Sequence, residues 1–350
     1  MYRRMSQVRQ GMLSVPGRAR PKLGGSRSPP VNTPSESSSL GSVKSVDRSG
    51  KIPRRTNSRD LMYTPDSSEM TGKELYVNLA KLVVSNGDSD LVGKYVDRAI
   101  AFAQTNELGG KEFVQILYLL SKIVLHANSE KYLIFLQEFS KKLNRNKFLA
   151  NLLPLDIAVG LNSLTRLRKI SARLEAECRV IVKKLAEEVP VKVGHFEDHH
   201  LAQVLHALSA FGVKDSVVLD EVVVELMTSR DLISFNPQTV VIICTSLARL
   251  DQPSSNDMHA AVWVALMKRA ATIPRKEMQP NWPDVLLTSA AMSQAGTTVP
   301  AVFLEAMTQE VVSQFKAKQI GASRVAKALH ALVQLQAPAH LIRKLRPLCE

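Results

Sequence analysis

Aromatic residues make up only 5% of this 350-residue chain, although hydrophobic residues as a whole reach 45%. So few aromatic rings favour a core of Leu, Val, Ile and Ala over an aromatic-rich β-sandwich. No stretch reaches the ~18 apolar residues that a helix needs to span a bilayer. The three cysteines, Cys178, Cys244 and Cys349, lie far apart without metal-ligand spacing. They give no indication of a disulfide framework and are predicted to be buried thiols in a reducing compartment.

Recognisable catalytic and cofactor-binding motifs are also missing. The sequence has no Walker loop, GxGxxG, GxSxG or HExxH motif, each of which would indicate a particular chemistry. His195, His199, His200 and His206 are close in sequence, but no cysteine accompanies them. The adjacent pair would point about 100° apart on a helix, which disfavours a zinc site. We therefore expect neither an enzyme nor a metal or other cofactor.

Acidic residues are absent from the first 35 positions, which carry seven Lys and Arg among Ser, Gly and Met. This composition is typical of an organellar transit peptide, and it predicts that residues 1–35 direct the protein to the mitochondrial matrix. Residues 36–70 remain rich in Ser, Pro, Arg and Asn and are predicted to form a disordered linker. The alternative is a plain basic tail of a cytosolic or nuclear protein.

The net charge of +14 is unevenly placed. Residues 1–70 hold 13 Lys/Arg and 5 Asp/Glu, whereas the remaining 280 residues contribute a net charge of only +6. A basic chain favours a polyanionic partner such as RNA. Because most of the excess lies in the N-terminal segment, the rest of the chain is only mildly basic.

From Thr71 onward the apolar spacing is helical, and a Leu-x-x-Leu motif recurs seven times at intervals of 39 to 45 residues. The residues four and seven positions before each motif share its helical face and are predicted to form the core. Residues 71–350 are therefore predicted to form an all-α solenoid of about seven two-helix repeats, each of roughly 40 residues. The motifs begin at Leu79, Leu120, Leu164, Leu208, Leu247, Met292 and Leu332.

Two segments carry the pattern most fully: 196–212 reads FEDHHLAQVLHALSAFG, and 235–250 reads FNPQTVVIICTSLARL. They resemble the octotricopeptide-type repeats that also occur in Fas-activated-kinase-like and RAP-domain proteins of mitochondria and plastids. The resemblance covers most of residues 110–350 and implies organellar RNA binding in RNA maturation, stability or translation, without catalysis by the repeats. Two features depart from the family. Residues such as Tyr118, Asn162 and His206 replace its usual tryptophan, and the sequence contains no RAP-like domain.

A second helical face is formed by the residues five and two positions before, and two positions after, the start of each motif. Its amides, rings and cations are groups that hydrogen-bond to bases, stack on them or neutralise phosphates. An ordinary solvated face, or a surface for another protein, is the alternative interpretation. The candidate RNA contacts on this face are Tyr118, Lys122, Asn162, Arg166, His206, Arg249 and His330.

Positive charge outside the N-terminal segment is densest between residues 139 and 186. Arg166, Arg168, Lys169 and Arg173 lie there and are predicted to contact phosphates. The alternative is a set of solvated helix surfaces with local ion pairs.

These features together predict a mitochondrial RNA-associated repeat protein whose partners are RNA and the protein subunits of a larger complex. Neither membrane insertion nor a small-molecule substrate is expected. The alternative is an armadillo- or HEAT-like scaffold within a mitochondrial ribosome or an RNA-processing complex. A cytosolic adaptor with a basic tail ranks third.

Overall fold

The computed structural model describes residues 70–85, 89–105, 107–123, 128–250, 257–293 and 298–349. Within these ranges the regular secondary structure is entirely helical, which confirms the predicted all-α class. The predicted transit peptide (1–35) and nearly all of the predicted linker (36–70) lie outside the described residues.

Sixteen α-helices occupy the described ranges. They are α1 (Gly72–Ser85), α2 (Ser89–Thr105), α3 (Gly110–Ile123), α4 (Ser129–Leu143), α5 (Asn146–Ala150), α6 (Pro154–Leu167), α7 (Ala172–Ala186), α8 (Val189–Lys192), α9 (Asp198–Phe211), α10 (Ser216–Thr228), α11 (Pro237–Leu250), α12 (Asp257–Ala271), α13 (Trp282–Met292), α14 (Ala301–Lys316), α15 (Ala322–Gln334) and α16 (Ala339–Leu345).

The long helices pack in two layers. In the first layer, α1, α3, α6, α9, α11, α13 and α15 each contact the next helix in that order. The second layer has two runs of successive contacts, α2–α4–α7 and α10–α12–α14–α16, and the short helix α8 contacts both α7 and α10. Helices from the two layers also contact one another, for example α6 with α7 and α11 with α12. The apolar faces between the layers form the core.

The predicted core face is buried in six of the seven first-layer helices. The residues that begin the motif there are at most 3% exposed: Leu79, Leu120, Leu164, Leu208, Leu247 and Leu332. Residues four and seven positions earlier, such as Ile243 and Val240, are also inaccessible to solvent. One face of each helix is therefore buried at the spacing of the motif.

Helix α13 differs from this register. Met292, predicted to begin the sixth motif in the core, is 54% exposed, whereas Leu287 and Ala291 are buried. The motif register is thus shifted by two residues, so that the buried Ala290 takes the place predicted for Met292. Within 283–293 the residues that are not fully buried have the same spacing as their counterparts on α11: Val285, Thr288 and Met292 correspond to Ile242, Thr245 and Arg249. Asn281 precedes this helix with a positive φ of 76°.

Local sequence signals define several helix ends. Pro154 occupies the first turn of α6, where the carboxylate of Asp156 accepts a hydrogen bond from the backbone N–H of Leu153. Gly212 ends α9 in the left-handed region, at a φ of 60°, which glycine adopts at little cost. The Asp215 side chain then accepts hydrogen bonds from the first turn of α10. These short connections keep paired helices close together.

A recurring arginine joins the second layer to the chain just before a first-layer helix. Arg98 donates to the carbonyl oxygen of Met70, Arg230 to that of Phe196, and Arg269 to that of Phe235. Each accepting residue lies two positions before its helix, α1, α9 or α11, and each of their side chains is buried. The same link therefore positions three first-layer helices against the second layer.

Candidate nucleic-acid interface

Seven of the ten predicted contact residues lie on first-layer helices, and each is exposed or half-buried. Because successive first-layer helices contact each other, these residues follow a row of neighbouring helices. They are Tyr118 and Lys122 on α3, Asn162 and Arg166 on α6, His206 on α9, Arg249 on α11, and His330 on α15.

On α3 the exposed ring of Tyr118 lies beside a cation. The Lys122 Nζ atom is 5.3 Å from the centre of that ring, within the range of a cation–π interaction. An exposed ring can stack on a base while the neighbouring ammonium group neutralises a phosphate. The Tyr118–Lys122 pair can therefore provide both contacts, base stacking and phosphate neutralisation, to a single-stranded nucleic acid.

Positive charge gathers near the C-terminal ends of α6, α9 and α11. Burial lowers the pKa of His206, and the charges of Arg249, Arg168 and Lys169 lower it further. The three cations are therefore near enough to His206 to act on its ring. Because the pKa falls below its ordinary value of about 6.5, the imidazole is neutral at pH 7 and can both donate and accept a hydrogen bond.

Three cations of this region have no close carboxylate. Among the described residues, no acidic side chain lies within 4.0 Å of Arg166, Lys169 or Arg249. Arg249 and Lys169 are exposed, and Arg166 is half-buried. Their charge is therefore available to an anion. In this respect these three cations differ from cations that form local ion pairs on a protein surface.

Arg168, also predicted to contact phosphate, makes contacts within the protein. It donates a hydrogen bond from Nη1 to the carbonyl oxygen of Ala210, and its guanidinium lies 5.2 Å from the centre of the Phe211 ring. Its side chain is only 27% exposed. The sequence placed it in a charge run but did not reveal that α9 provides an acceptor and a ring for it.

Arg173 lies at the start of α7, in the second layer. Its Nη1 atom is 3.4 Å from the Oε1 atom of Glu130 on α4. Both side chains are largely exposed, so the ion pair itself contributes little to stability. On the same helix, Glu175 Oε1 lies 3.7 Å from Nη1 of Arg168.

A groove opens between α11, α13 and α15, with a cavity volume of about 180 Å³. It is where the shifted register of α13 exposes residues that were predicted as core. Met292, Val285 and Thr288 line it, and none of the three is fully buried. The predicted polar-face residues Thr245, Arg249 and Lys327 line the same groove.

The sequence interpretation missed Asp284, which lines this groove from the first turn of α13. Its carboxylate Oδ2 is 3.2 Å from Nη1 of Arg324 on α15. Burial raises the pKa of Asp284, and the Arg324 charge opposes that rise. Asp284 lies six residues before the buried Ala290, as the buried Val241 lies six residues before Leu247 on α11.

Three residues at the start of α9 come closer together than the sequence suggested. The potential ligand atoms of Glu197, His199 and His200 all lie within 4.8 Å of one another. The two imidazole rings have centres only 3.9 Å apart, and Nδ1 of His199 lies 3.4 Å from Oε2 of Glu197. Three donors could hold a metal ion, although a structural zinc site uses four.

No family model matches this chain, and no curated protein matches it. None of the helices in the described ranges has both the length and the apolar character required to cross a bilayer.

Proposed function

We propose that the first-layer surface binds single-stranded RNA. The observation that carries this proposal is the set of cations without carboxylate partners, Arg166, Lys169 and Arg249. Of these, Lys169 and Arg249 are close enough to act on the imidazole of His206. Such a surface attracts phosphates by charge and can hydrogen-bond a base without charging the ring. Tyr118 with Lys122, and His330, extend the row along the layer.

In this proposal the long helices form a solenoid of seven two-helix repeats. The alternating order of contacts in the two layers supports it, as does the buried Leu-x-x-Leu spacing in six first-layer helices. Residues at equivalent positions would then recur once per repeat. An extended strand of RNA could follow them, as it does in other helical-repeat proteins that read single strands.

In this proposal the protein acts in mitochondria by binding RNA and other proteins, and it is not an enzyme. It would hold RNA, or an RNA–protein assembly, during processing, stabilisation or translation, together with protein subunits of a larger complex. The acid-free composition of residues 1–35 supports the location. Fusion of residues 1–35 to a fluorescent reporter should give a mitochondrial signal, and a diffuse cytosolic signal would contradict this part of the proposal.

The binding test uses the full chain and a labelled 12-nucleotide single-stranded RNA, with affinity measured across a salt series. Arg166→Glu, Lys169→Glu and Arg249→Glu together should weaken binding. They should also make the slope of log affinity against log salt shallower by about two, because each phosphate contact contributes roughly 0.7.

The control variant reverses the charge of three exposed lysines of the second layer, one each on α7, α12 and α14. It matches the change in net charge and leaves the first-layer surface intact. RNA binding that is equally affected in both variants would contradict the proposed surface. The absence of any salt-sensitive binding would contradict RNA as the ligand. The control substitutions are Lys183→Glu, Lys268→Glu and Lys316→Glu.

A protein-interaction scaffold is the second candidate, and exposed apolar side chains on the second layer favour it. Ile134, Val180, Val217 and Val302 are each between 41% and 62% exposed. Apolar groups on such a surface can bind another protein. Val180→Asp with Val217→Asp should then release the protein from a large complex on gel filtration of mitochondrial extract, without affecting RNA affinity.

A further inference from the structure

One face of a first-layer helix is covered by the next helix of that layer. At Gly160 of α6 a Cβ atom would lie 3.7 Å from Cγ2 of Val114 on α3, and Asp284 of α13 pairs with Arg324 of α15. Val114 and Asp284 each lie six positions before the residue that begins the motif in their helix, with Ala290 in that place on α13. This position therefore faces the following helix.

The residues six and three positions before the start of the motif are buried in α3, α6, α9, α11 and α13. Each of them is at most 7% exposed. Because each of these helices contacts the next one in the layer, the same stripe is covered in five successive helices. Its members are Val114, Leu117, Ala158, Leu161, Ala202, Leu205, Val241, Cys244, Asp284 and Leu287.

On α15, the last first-layer helix among the described residues, the equivalent stripe is open. Ala326 is exposed, Leu329 is half-buried, and Val333, one position after the start of the motif, is 53% exposed. At the place of Val333, the two preceding helices have Ala248 and Ala291, which are at most 7% exposed. The α15 stripe, Ala326, Leu329 and Val333, is thus an accessible apolar surface with the spacing of a helix-stacking face.

The part of the chain that carries this stripe is strongly basic. No Asp or Glu occurs in residues 311–349, which carry seven Lys and Arg. A helix that packs on the α15 stripe is therefore attracted if its flanks are acidic and repelled if they are basic. The same charge disfavours a second copy of this chain, because a two-fold contact would bring two α15 stripes with like charge together. The cations are Lys316, Lys318, Arg324, Lys327, Arg343, Lys344 and Arg346.

An apolar groove lies at the N-terminal end of the same helix. It has a cavity volume of about 490 Å³, and the residue just before α15 lines it. Phe315, Ile320 and Leu348 form its apolar part, and Lys316 and Lys318 line it as well. Such a groove can receive an apolar side chain that anchors a partner, with acidic neighbours of that side chain close to the two lysines.

We propose that the α15 stripe binds an acidic amphipathic helix of another protein. The apolar face of that helix packs on the stripe, as α15 itself packs on α13, and the bound helix continues the first layer. Its acidic flanks lie near Lys327 and the α16 cations Arg343 and Lys344. RNA is also attracted by these cations, but the stripe offers it no aromatic ring on which a base could stack. The inference does not depend on the proposed RNA binding, and it assigns a surface to one of the expected protein partners.

The experiment measures binding of the full chain to a labelled 16-residue helical peptide by fluorescence anisotropy. This first peptide has Leu and Ala on one face and Glu on the other. A second peptide carries Lys in place of Glu, and a third keeps Glu but has Gln on the apolar face. We expect the first peptide to bind with an affinity that falls as the salt concentration rises. The other two should bind at least roughly tenfold more weakly, since each lacks one of the two contacts.

Protein variants then locate the binding. Val333→Asp puts a charge into the apolar contact and should weaken binding of the first peptide by roughly tenfold or more. Val77→Asp is the matched control, since Val77 is a 47% exposed valine on α1, another first-layer helix. It should leave peptide binding unchanged. Both valines are exposed, and circular dichroism of the two variants checks that the helical fold is retained.

A second pair of variants tests the charge. Arg343→Glu with Lys344→Glu should weaken binding of the first peptide and make it less sensitive to salt. Lys183→Glu with Lys268→Glu makes the same change in net charge on α7 and α12. These two substitutions should have a much smaller effect.

Several results would overturn this inference without affecting the proposed RNA binding. They are equal affinity for the Glu and Lys peptides, binding of the first peptide that survives in Val333→Asp, and no binding of any peptide. A dimer of the unaltered protein that is lost in Val333→Asp would identify a second copy as the occupant instead. If Val333→Asp lowers the affinity for RNA and not for the peptide, the stripe belongs to the RNA surface and the inference is wrong.

Discussion

Arg168 donates a hydrogen bond to the backbone carbonyl of Ala210, 42 residues later in the chain. This bond joins the end of α6 to the last turn of α9, and the guanidinium also lies against the ring of Phe211. A side chain that the charge pattern assigned to phosphate binding thus connects two first-layer helices.

Arg168→Ala is expected to lower the free energy of unfolding by about 1–2 kcal/mol, because it removes a hydrogen bond from a charged donor. Lys169→Ala, at the exposed neighbouring position, should change it by no more than about 0.5 kcal/mol. Chemical denaturation of both variants measures the difference. Equal, small effects would contradict the structural assignment of Arg168.

Arg269 joins its own helix, α12, to the residue that precedes the neighbouring helix α11. Its Nε and Nη2 atoms lie 3.2 and 2.9 Å from the Phe235 carbonyl oxygen, which precedes α11. Arg269→Ala should lower the free energy of unfolding by about 1.5–3 kcal/mol through loss of this charged donor, whereas Lys268→Ala should have little effect. Thermal unfolding of the two variants, followed by circular dichroism, tests this. An unchanged Tm for Arg269→Ala would contradict it.

Two of the three thiols should be unreactive in the folded protein. Cys178 and Cys244 are buried, and burial raises the pKa of both thiols, to about 12 for Cys244. The reactive thiolate is therefore scarce at pH 8. Titration with a disulfide reagent should modify Cys349 first, because it is half-buried, and all three only after denaturation. Rapid modification of more than one thiol in the native protein would contradict the described packing.

Acidification should destabilise the fold through His206. Burial and neighbouring cations, Arg249 first, lower its pKa in the folded state. The unfolded chain then binds a proton that the folded chain does not. Stability therefore falls as the pH drops from about 6.5 toward the lowered pKa.

The test compares the Tm at pH 7.5 and at pH 5.5. His206→Gln should lose less stability on acidification than the unaltered protein, and His330→Gln, at an exposed position, should behave like the unaltered protein. If His206→Gln is as sensitive to acid as the unaltered protein, another group causes the pH dependence.

The sequence was sufficient for the helical class and for most of the core, because the Leu-x-x-Leu spacing records one buried face per helix. It failed at α13, where both Met292 and Ala290 are apolar and only the packing decides which of them is buried. The sequence also contains a second regularity. Buried residues such as Leu152, Phe196 and Phe235 each precede a first-layer helix by two positions.

The candidate site was less predictable than the fold, because a cation's availability depends on its neighbours from other repeats. Arg166 and Arg168 are almost adjacent in sequence. Only Arg168 meets a carbonyl and a ring of α9. Asp284 was missed because a lone aspartate in a helix has no distinguishing pattern until its burial is known.

The most direct test of the proposed RNA surface is photo-crosslinking of the full chain to a 12-nucleotide RNA containing 4-thiouridine, followed by mass spectrometry of the crosslinked peptides. Crosslinks are expected on the first-layer helices α3, α6, α9, α11 and α15, around Tyr118, Arg166 and Arg249. Crosslinks confined to residues 1–70, or to the second-layer helices, would contradict it.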